Sequence, residues 1–325
     1  EANLGWVRAL RGDLATGEEL IARAVAALEA GGGRPLDLPL ALGNLARIRR
    51  AQGRYPDARQ TSARSVEALR SVLPPGHPDL ASGLSNHATL LWEVGEYRDA
   101  LSLAQEALNI RETALGDDHP DLAIELMTIS EIHQSLGELK SAEQALLRAH
   151  AILQGRFGAV HPDVAIAENN LGMLYYALGR PAESVDFLQR SLRAREELRG
   201  PDDPSVATVL NNLGEVHAEL GELEEAERCL RRSIAIRESA FGPDDPRTAL
   251  PIHNLGLLAL RTGRVALAAE LLPRGLRIRE ATLGPSHPRI AESLTACARL
   301  ARERGDAQEA SRLERRAEDM RAELD

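Results

Sequence analysis

The side chains able to do chemistry in this chain recur at a fixed interval. His77-Pro78-Asp79, His119-Pro120-Asp121 and His161-Pro162-Asp163 stand 42 residues apart and drift to Asp203-Pro204-Ser205, Asp245-Pro246-Arg247 and His287-Pro288-Arg289. A histidine beside a carboxylate suits acid–base work or metal ligation. Recurrence in every linker argues instead for a helix-start device, and no histidine pair shows the close spacing of a zinc site. His133 and His217 share a register with Tyr175, which predicts buried, satisfied imidazoles. Cys229 and Cys297, 68 residues apart, make neither a disulfide framework nor a metal pair and fall on apolar helix positions, as suits a reducing compartment. Among 39 basic residues Lys140 is the one lysine, in a polar turn, which argues against lysine chemistry such as a phosphate loop or a Schiff base. There is no Gly-x-Ser-x-Gly elbow, and the carboxylates of "GELEEAER" from Gly221 complement a helix start. The expectation is a chain without catalytic residues, metal or cofactor.

The elements that hold these side chains follow from composition and period. Of 325 residues 43% are hydrophobic and only 3% aromatic, with alanine and leucine dominant, which predicts an all-α chain. A net charge of −10 would repel a phosphate backbone, so nucleic acid is not the expected partner. No apolar run approaches the roughly 18 to 20 residues of a membrane span. Gly53, Gly95, Gly137, Gly179, Gly221, Gly263 and Gly305 are spaced by 42 residues without an insertion. Five residues after each stands a small residue (Ala58 to Ala310), and seven before each another (Ala46, Ala88, Ser130, Gly172, Gly214, Gly256, Ala298). Helical periodicity on both sides of each glycine makes the unit a helical hairpin whose small residues mark a close crossing. Gly116, Gly158, Gly200, Gly242 and Gly284 suit left-handed helix ends, and the prolines from Pro78 to Pro288 suit first helical turns. Pro251, inside the first helix of the sixth full repeat, predicts a kink.

The stretches "NNLGMLYYALGRPAESVDFLQRSLRAREELRGPDDPSVA" from Asn169 and "NNLGEVHAELGELEEAERCLRRSIAIRESAFGPDDPRTA" from Asn211 resemble the tetratricopeptide repeat. The resemblance is to its 42-residue form, found in kinesin light chain and in many bacterial multidomain proteins, and it covers the whole chain. The fold it implies is a right-handed α-solenoid of tandem helical hairpins. Residues 1–33 are expected to be a truncated repeat, with Glu1 inside its first helix, and 34–325 seven full ones in a single elongated domain. In the last, Glu318 gives the polar face of a cap. Asn3-Leu4-Gly5 enters that register mid-helix, so a domain upstream in the same polypeptide is expected.

In this family the column Asn44, Asn86, Thr128, Asn170, Asn212, Asn254 and Ala296 would line a concave groove. Its asparagines resemble a ladder that grips an extended peptide backbone through amide donor and acceptor. Two readings of the ladder stand: it binds ligand, or it ties neighbouring repeats in register. Inner-face positions nearby include Arg47, Arg50, Trp92, Met173, Tyr176, Glu215 and His253, of which Trp92 and Tyr176 stand out in an aromatic-poor chain as binding anchors or as packing. Gly43, Ser85, Met127, Asn169, Asn211, His253 and Thr295 stand beside the column, where a carboxylate clamp for acidic chaperone tails would carry a basic residue. Between Arg34 and Gly76 eight arginines face Asp37, Asp57 and Glu67, so "RIRRAQGRYPDAR" is either a docking segment for an acidic partner or a solvated helix.

The functional expectation is a non-catalytic, cytoplasmic protein-interaction module that takes a peptide segment or protein domain in its groove. Alternatives are the C-terminal regulatory arm of a bacterial signalling enzyme, such as a serine/threonine kinase or nucleotide-binding ATPase, and a self-assembling scaffold.

Overall fold

The computed structural model describes residues 2–284 and 287–322. The expectation for Glu1 and the last three residues of the expected cap lie outside them. Among the described residues every regular element is helical, sixteen α-helices and one 3-10 turn. The chain divides into two compact units, Glu1–Arg156 and Phe157–Asp325.

The first unit contains α1 (Ala2–Leu10), α2 (Leu14–Glu29), α3 (Asp37–Ala51), α4 (Tyr55–Val72), α5 (Pro78–Glu93), α6 (Tyr97–Leu115), α7 (Leu122–Ser135) and α8 (Leu139–Phe157). The second contains α9 (Pro162–Ala177), α10 (Pro181–Arg199), α11 (Pro204–Leu220), α12 (Leu223–Phe241), α13 (Ala249–Arg261), α14 (Val265–Thr282), α15 (Pro288–Glu303) and α16 (Ala307–Ala322). Within each unit helices pack as hairpins, α3 on α4 and α11 on α12 for example, and hairpins pack on their neighbours, α4 on α5 and α10 on α11. On α16 the side chains of Ala310, Leu313, Ala317 and Met320 are buried while Glu318 is exposed.

Each helix ends where the sequence supplies the right stop. Gly221 closes α11 in the left-handed conformation (φ 80°, ψ 9°), and the Glu222 amide then donates to the His217 carbonyl at 2.9 Å. A side chain there would be strained, which is why glycine recurs at this register. Gly116, Gly158, Gly200 and Gly242 also have positive φ, but Gly284 does not.

The recurring linker tripeptide is an N-cap. Nδ1 of His77, His161 and His287 accepts from the amide two residues on, at 3.1, 3.2 and 3.1 Å, and Asp203 and Asp245 do the same through Oδ1 at 2.8 and 2.9 Å. Proline follows at the first helical position, where its missing N–H costs nothing. Pro251 makes no mid-helix kink. A 3-10 turn over Pro246–Thr248 precedes α13, so Pro251 falls in the first turn, whose N–H groups have no intrahelical acceptor.

The small residues sit where helices cross. A Cβ added to Gly214 would lie 2.6 Å from Leu230 Cγ, and one on Gly172 2.5 Å from Leu188 Cγ. Hairpins of the second unit are also tied to their neighbours: Arg195 and Arg279, late in α10 and α14, donate to the carbonyls of Ser205 and Arg289 at 3.0 and 2.6 Å.

Candidate functional site

The first helices of the hairpins carry the expected binding face. In the first unit α3 brings Asn44, Arg47 and Arg50 to one side at three-residue spacing, and α5 brings Asn86 beside them. Asn44, Asn86, Arg47 and Arg50 line one cavity of about 210 Å³, floored by Leu40, Leu69 and Leu90. Leu40 is 53% exposed, an apolar patch that the sequence reading missed although its i, i+4 spacing to Asn44 signals it. Among the described residues neither Asn44 nor Asn86 has a side-chain hydrogen-bond partner.

The arginines there are compensated. Arg50 pairs with Glu93 at 2.8 Å and the Arg47 guanidinium lies 4.3 Å above the Trp6 ring. The rest of the basic segment is likewise paired: Arg49 and Arg54 with Glu18, Arg59 with Glu96, Arg64 with Glu29 and Arg70 with Glu106. Each carboxylate belongs to a neighbouring hairpin, so the local surplus of positive charge is spent inside the unit. Trp92 is half-buried and donates from Nε1 to Ser135 Oγ at 2.8 Å, a contact between α5 and α7. A more voluminous depression, about 730 Å³, lies between α4 and α6, but Arg59, Glu96 and Arg70 on its rim are already committed to these ion pairs.

In the second unit the asparagines bind one another. Asn212 Nδ2 donates to Asn169 Oδ1 at 2.9 Å and Asn254 Nδ2 to Asn211 Oδ1 at 3.1 Å, with longer contacts of 3.4 Å from Asn169 to Asn170 and from Asn211 to Asn212. The amides thus run as one chain across α9, α11 and α13. His253 holds the register of Asn169 and Asn211, yet the residue that would donate to it is Ala296. Its ring is buried, Nδ1 has no partner, and burial together with Arg279 holds its pKa down to about 4.

Beside this ladder Tyr176, Glu215 and Asn254 line a cavity of about 480 Å³ with Glu219, Arg261 and Arg299. Burial raises the pKa of Glu215, and burial followed by Glu215 and Glu219 raises that of Tyr176. Arg261 donates to the Ala218 carbonyl at 2.5 Å. Met173 is half-buried on α9 and does not line the cavity. The structure therefore gathers the expected residues into two clusters, Asn44, Asn86, Arg47 and Arg50 in one unit and Tyr176, Glu215 and Asn254 in the other. Trp92, Met173 and His253 stand outside both.

One group of metal-capable side chains, His217, Glu225 and Cys229, occurs among the described residues. No described helix is long and apolar enough to cross a membrane.

The tetratricopeptide repeat profile matches residues 37–113, 79–155, 163–239, 205–281 and 247–323. The chain belongs to the tetratricopeptide-repeat family. Among solved structures this tetratricopeptide-repeat chain is similar to BtubC (BKLC) from P. vanneervenii, at 27% identity and a TM-score of 0.59 over 70% of this chain and 91% of that one. A Podosopora anserina kinesin light chain protein with nearly identical TPR-like repeats is 20% identical, with a TM-score of 0.57 over 65% of this chain and 99% of that one. A Rap protein complexed with Competence and Sporulation Factor is 16% identical, with a TM-score of 0.61 over 93% of this chain and 80% of that one. At such identities the last two show the fold alone. No curated protein matches the chain.

Proposed function

We propose that this tetratricopeptide-repeat chain is a protein-interaction module that takes an extended peptide on the first-helix face, with the Asn44–Asn86 cavity as the backbone-gripping site. One observation carries the reading. Two amides with both donor and acceptor free stand over an apolar floor in a cavity whose arginines are already compensated. Such a site offers a peptide bond two hydrogen bonds per amide, and Asp79 in the same lining offsets the charge that Arg47 keeps over the Trp6 ring. Each bond adds about 1 kcal/mol net, so the apolar contacts with Leu40, Leu69 and Leu90 supply the rest. The Rap fold shared with this chain, solved with Competence and Sporulation Factor and with a Phr* peptide, supports a peptide-sized ligand.

The second cavity suits a different ligand chemistry. Its lining sets Glu215 and Glu219 beside Arg261 and Arg299, none of them in an ion pair among the described residues, so a polar side chain that bridges both signs is the chemistry it would accept. Panning a displayed library of linear peptides against the chain tests the proposal. Enriched peptides should lose at least about tenfold in affinity to Asn44→Ala/Asn86→Ala, the loss of two net hydrogen bonds, while the variant melts as the parent does. Peptides that bind parent and double variant equally would remove the cavity from the site.

A further inference from the structure

The second unit holds three donor atoms of different kinds in one place. A ring nitrogen of His217, a carboxylate oxygen of Glu225 and the Cys229 sulfur all lie within 4.8 Å of one another, with His217 and Cys229 buried and Glu225 half-buried. His217 ends α11, and the other two stand four residues apart on α12, on one face of the helix. We propose that His217, Glu225 and Cys229 form a binding site for a single divalent metal ion of the zinc type.

The preceding repeat is an internal control. There the same registers hold Tyr175, Glu183 and Phe187, and the two rings stack with centroids 5.3 Å apart. The fold therefore brings these positions into contact whatever occupies them, and in the next repeat an apolar pair has become a nitrogen and a sulfur donor. A small apolar pair would have filled the same space, as Ala259 and Leu271 do one repeat later.

The surroundings fit a metal better than bare packing. The Glu222 carboxylate contacts His217 Nδ1 at 2.5 Å, which fixes the ring and leaves Nε2 as the ligating nitrogen. A carboxylate on the far nitrogen is the usual outer support of a histidine ligand. At the corresponding place in the preceding repeat Arg180 lies over Tyr175 instead. Bond lengths of about 2.0 to 2.3 Å put the donors of a tetrahedral zinc roughly 3.5 Å apart, so the three need close by about 1 Å. Glu225 can supply most of that movement by leaving Arg228, its present partner on the surface. The site opens on a depression of about 370 Å³, which gives a fourth ligand, water, access to the ion. A thiol ligates a metal ion as its thiolate. Binding then replaces the S–H bond by a metal–thiolate bond and releases one proton to solvent.

The chelator-stripped chain, titrated with zinc(II) by calorimetry and with cobalt(II) by absorbance, tests the site. One ion should bind per chain with proton release, and cobalt(II) should show a thiolate charge-transfer band and the intense visible bands of four-coordination. Cys229→Ser should abolish the charge-transfer band, and both it and His217→Phe should weaken zinc binding at least about 100-fold. Glu222→Gln should weaken it about tenfold through ring orientation alone. Cys297→Ser should change neither signal. Absence of saturable binding, or binding that keeps its charge-transfer band in Cys229→Ser, would overturn the proposal. If His217→Phe fails to fold, the band in the parent chain and its loss in Cys229→Ser still decide it.

Discussion

Asn86 on α5 and Asn254 on α13 occupy the same register, yet the first presents its amide to a cavity and the second donates it to Asn211, 3.1 Å away. The difference lies one residue upstream in the neighbouring repeat. The second unit has Asn169 and Asn211 there, whose carbonyl oxygens accept from the next rung. The first unit has Gly43, with no side chain, and Ser85, whose hydroxyl turns to the Ala81 carbonyl and to Glu125. A recurring residue type can thus be hydrogen-bonded between repeats in one unit and, among the described residues, without a side-chain partner in the other. The second-unit amides make the inter-repeat bonds of one reading, and the first-unit amides are those of the proposed peptide site.

The helix crossings differ in parallel. Gly172, Gly214 and Gly256 in the second unit face Leu188, Leu230 and Leu272. In the first unit Gly5 meets Ile21 in the same way, while Ala46 and Ser62, and Ala88 and Ala104, all buried, hold these registers in α3–α4 and α5–α6. Where the first helix carries glycine, the larger leucine of the second fills the space that the missing Cβ leaves, as close packing requires.

The largest way to break the contrast is Leu230→Ala, which leaves a void over Gly214 and should cost about 2–5 kcal/mol in chemical denaturation. Gly214→Ala alone should cost about 1–3 kcal/mol by overpacking. Combined, they recreate the Ala88–Ala104 pair and should cost clearly less than the sum; full additivity would refute the shared-volume account. Next is pH. His253, held near 4 in the fold against 6.5 in the open chain, resists a proton that the unfolded state accepts. Its contribution is complete above pH 6.5 and is lost as pH falls toward 4, by on the order of 3 kcal/mol at about 1.4 kcal/mol per unit. His253→Asn, which installs the residue of Asn169 and Asn211, should flatten the pH–stability curve in that window; an unchanged slope would assign it elsewhere. The smallest effects sharpen the asparagine contrast itself. Asn211→Ala strands the Asn254 amide and should lower stability by about 1–3 kcal/mol, whereas Asn86→Ala should stay within about 0.5 kcal/mol. Equal losses on melting would show that both columns are structural.

Much of this was legible in the residues. The 42-residue glycine spacing marked the hairpin turns from α3–α4 onward, and the His-Pro-Asp recurrence marked helix starts, because both act within a few residues of backbone. The arginine-rich segment was not legible as neutral. Its counter-ions Glu18, Glu29, Glu93, Glu96 and Glu106 come from neighbouring hairpins, more than thirty residues away for most pairs. Trp92 likewise finds Ser135 43 residues on, an inter-repeat contact. His217 was legible as a buried, partnered histidine, but its meeting with Cys229 needed the crossing of α11 and α12. The Tyr175 and Phe187 registers were the available signal.

By itself the sequence determined the repeat, its helical hairpins and the residue types on each first-helix face, since periodicity, glycine turns and proline starts are local properties of the chain. Tertiary structure alone decided which of those residues are free. An amide, a guanidinium or a thiol has the same chemistry at every register, and whether it is available to a ligand depends on the partner that the next hairpin brings within hydrogen-bonding distance.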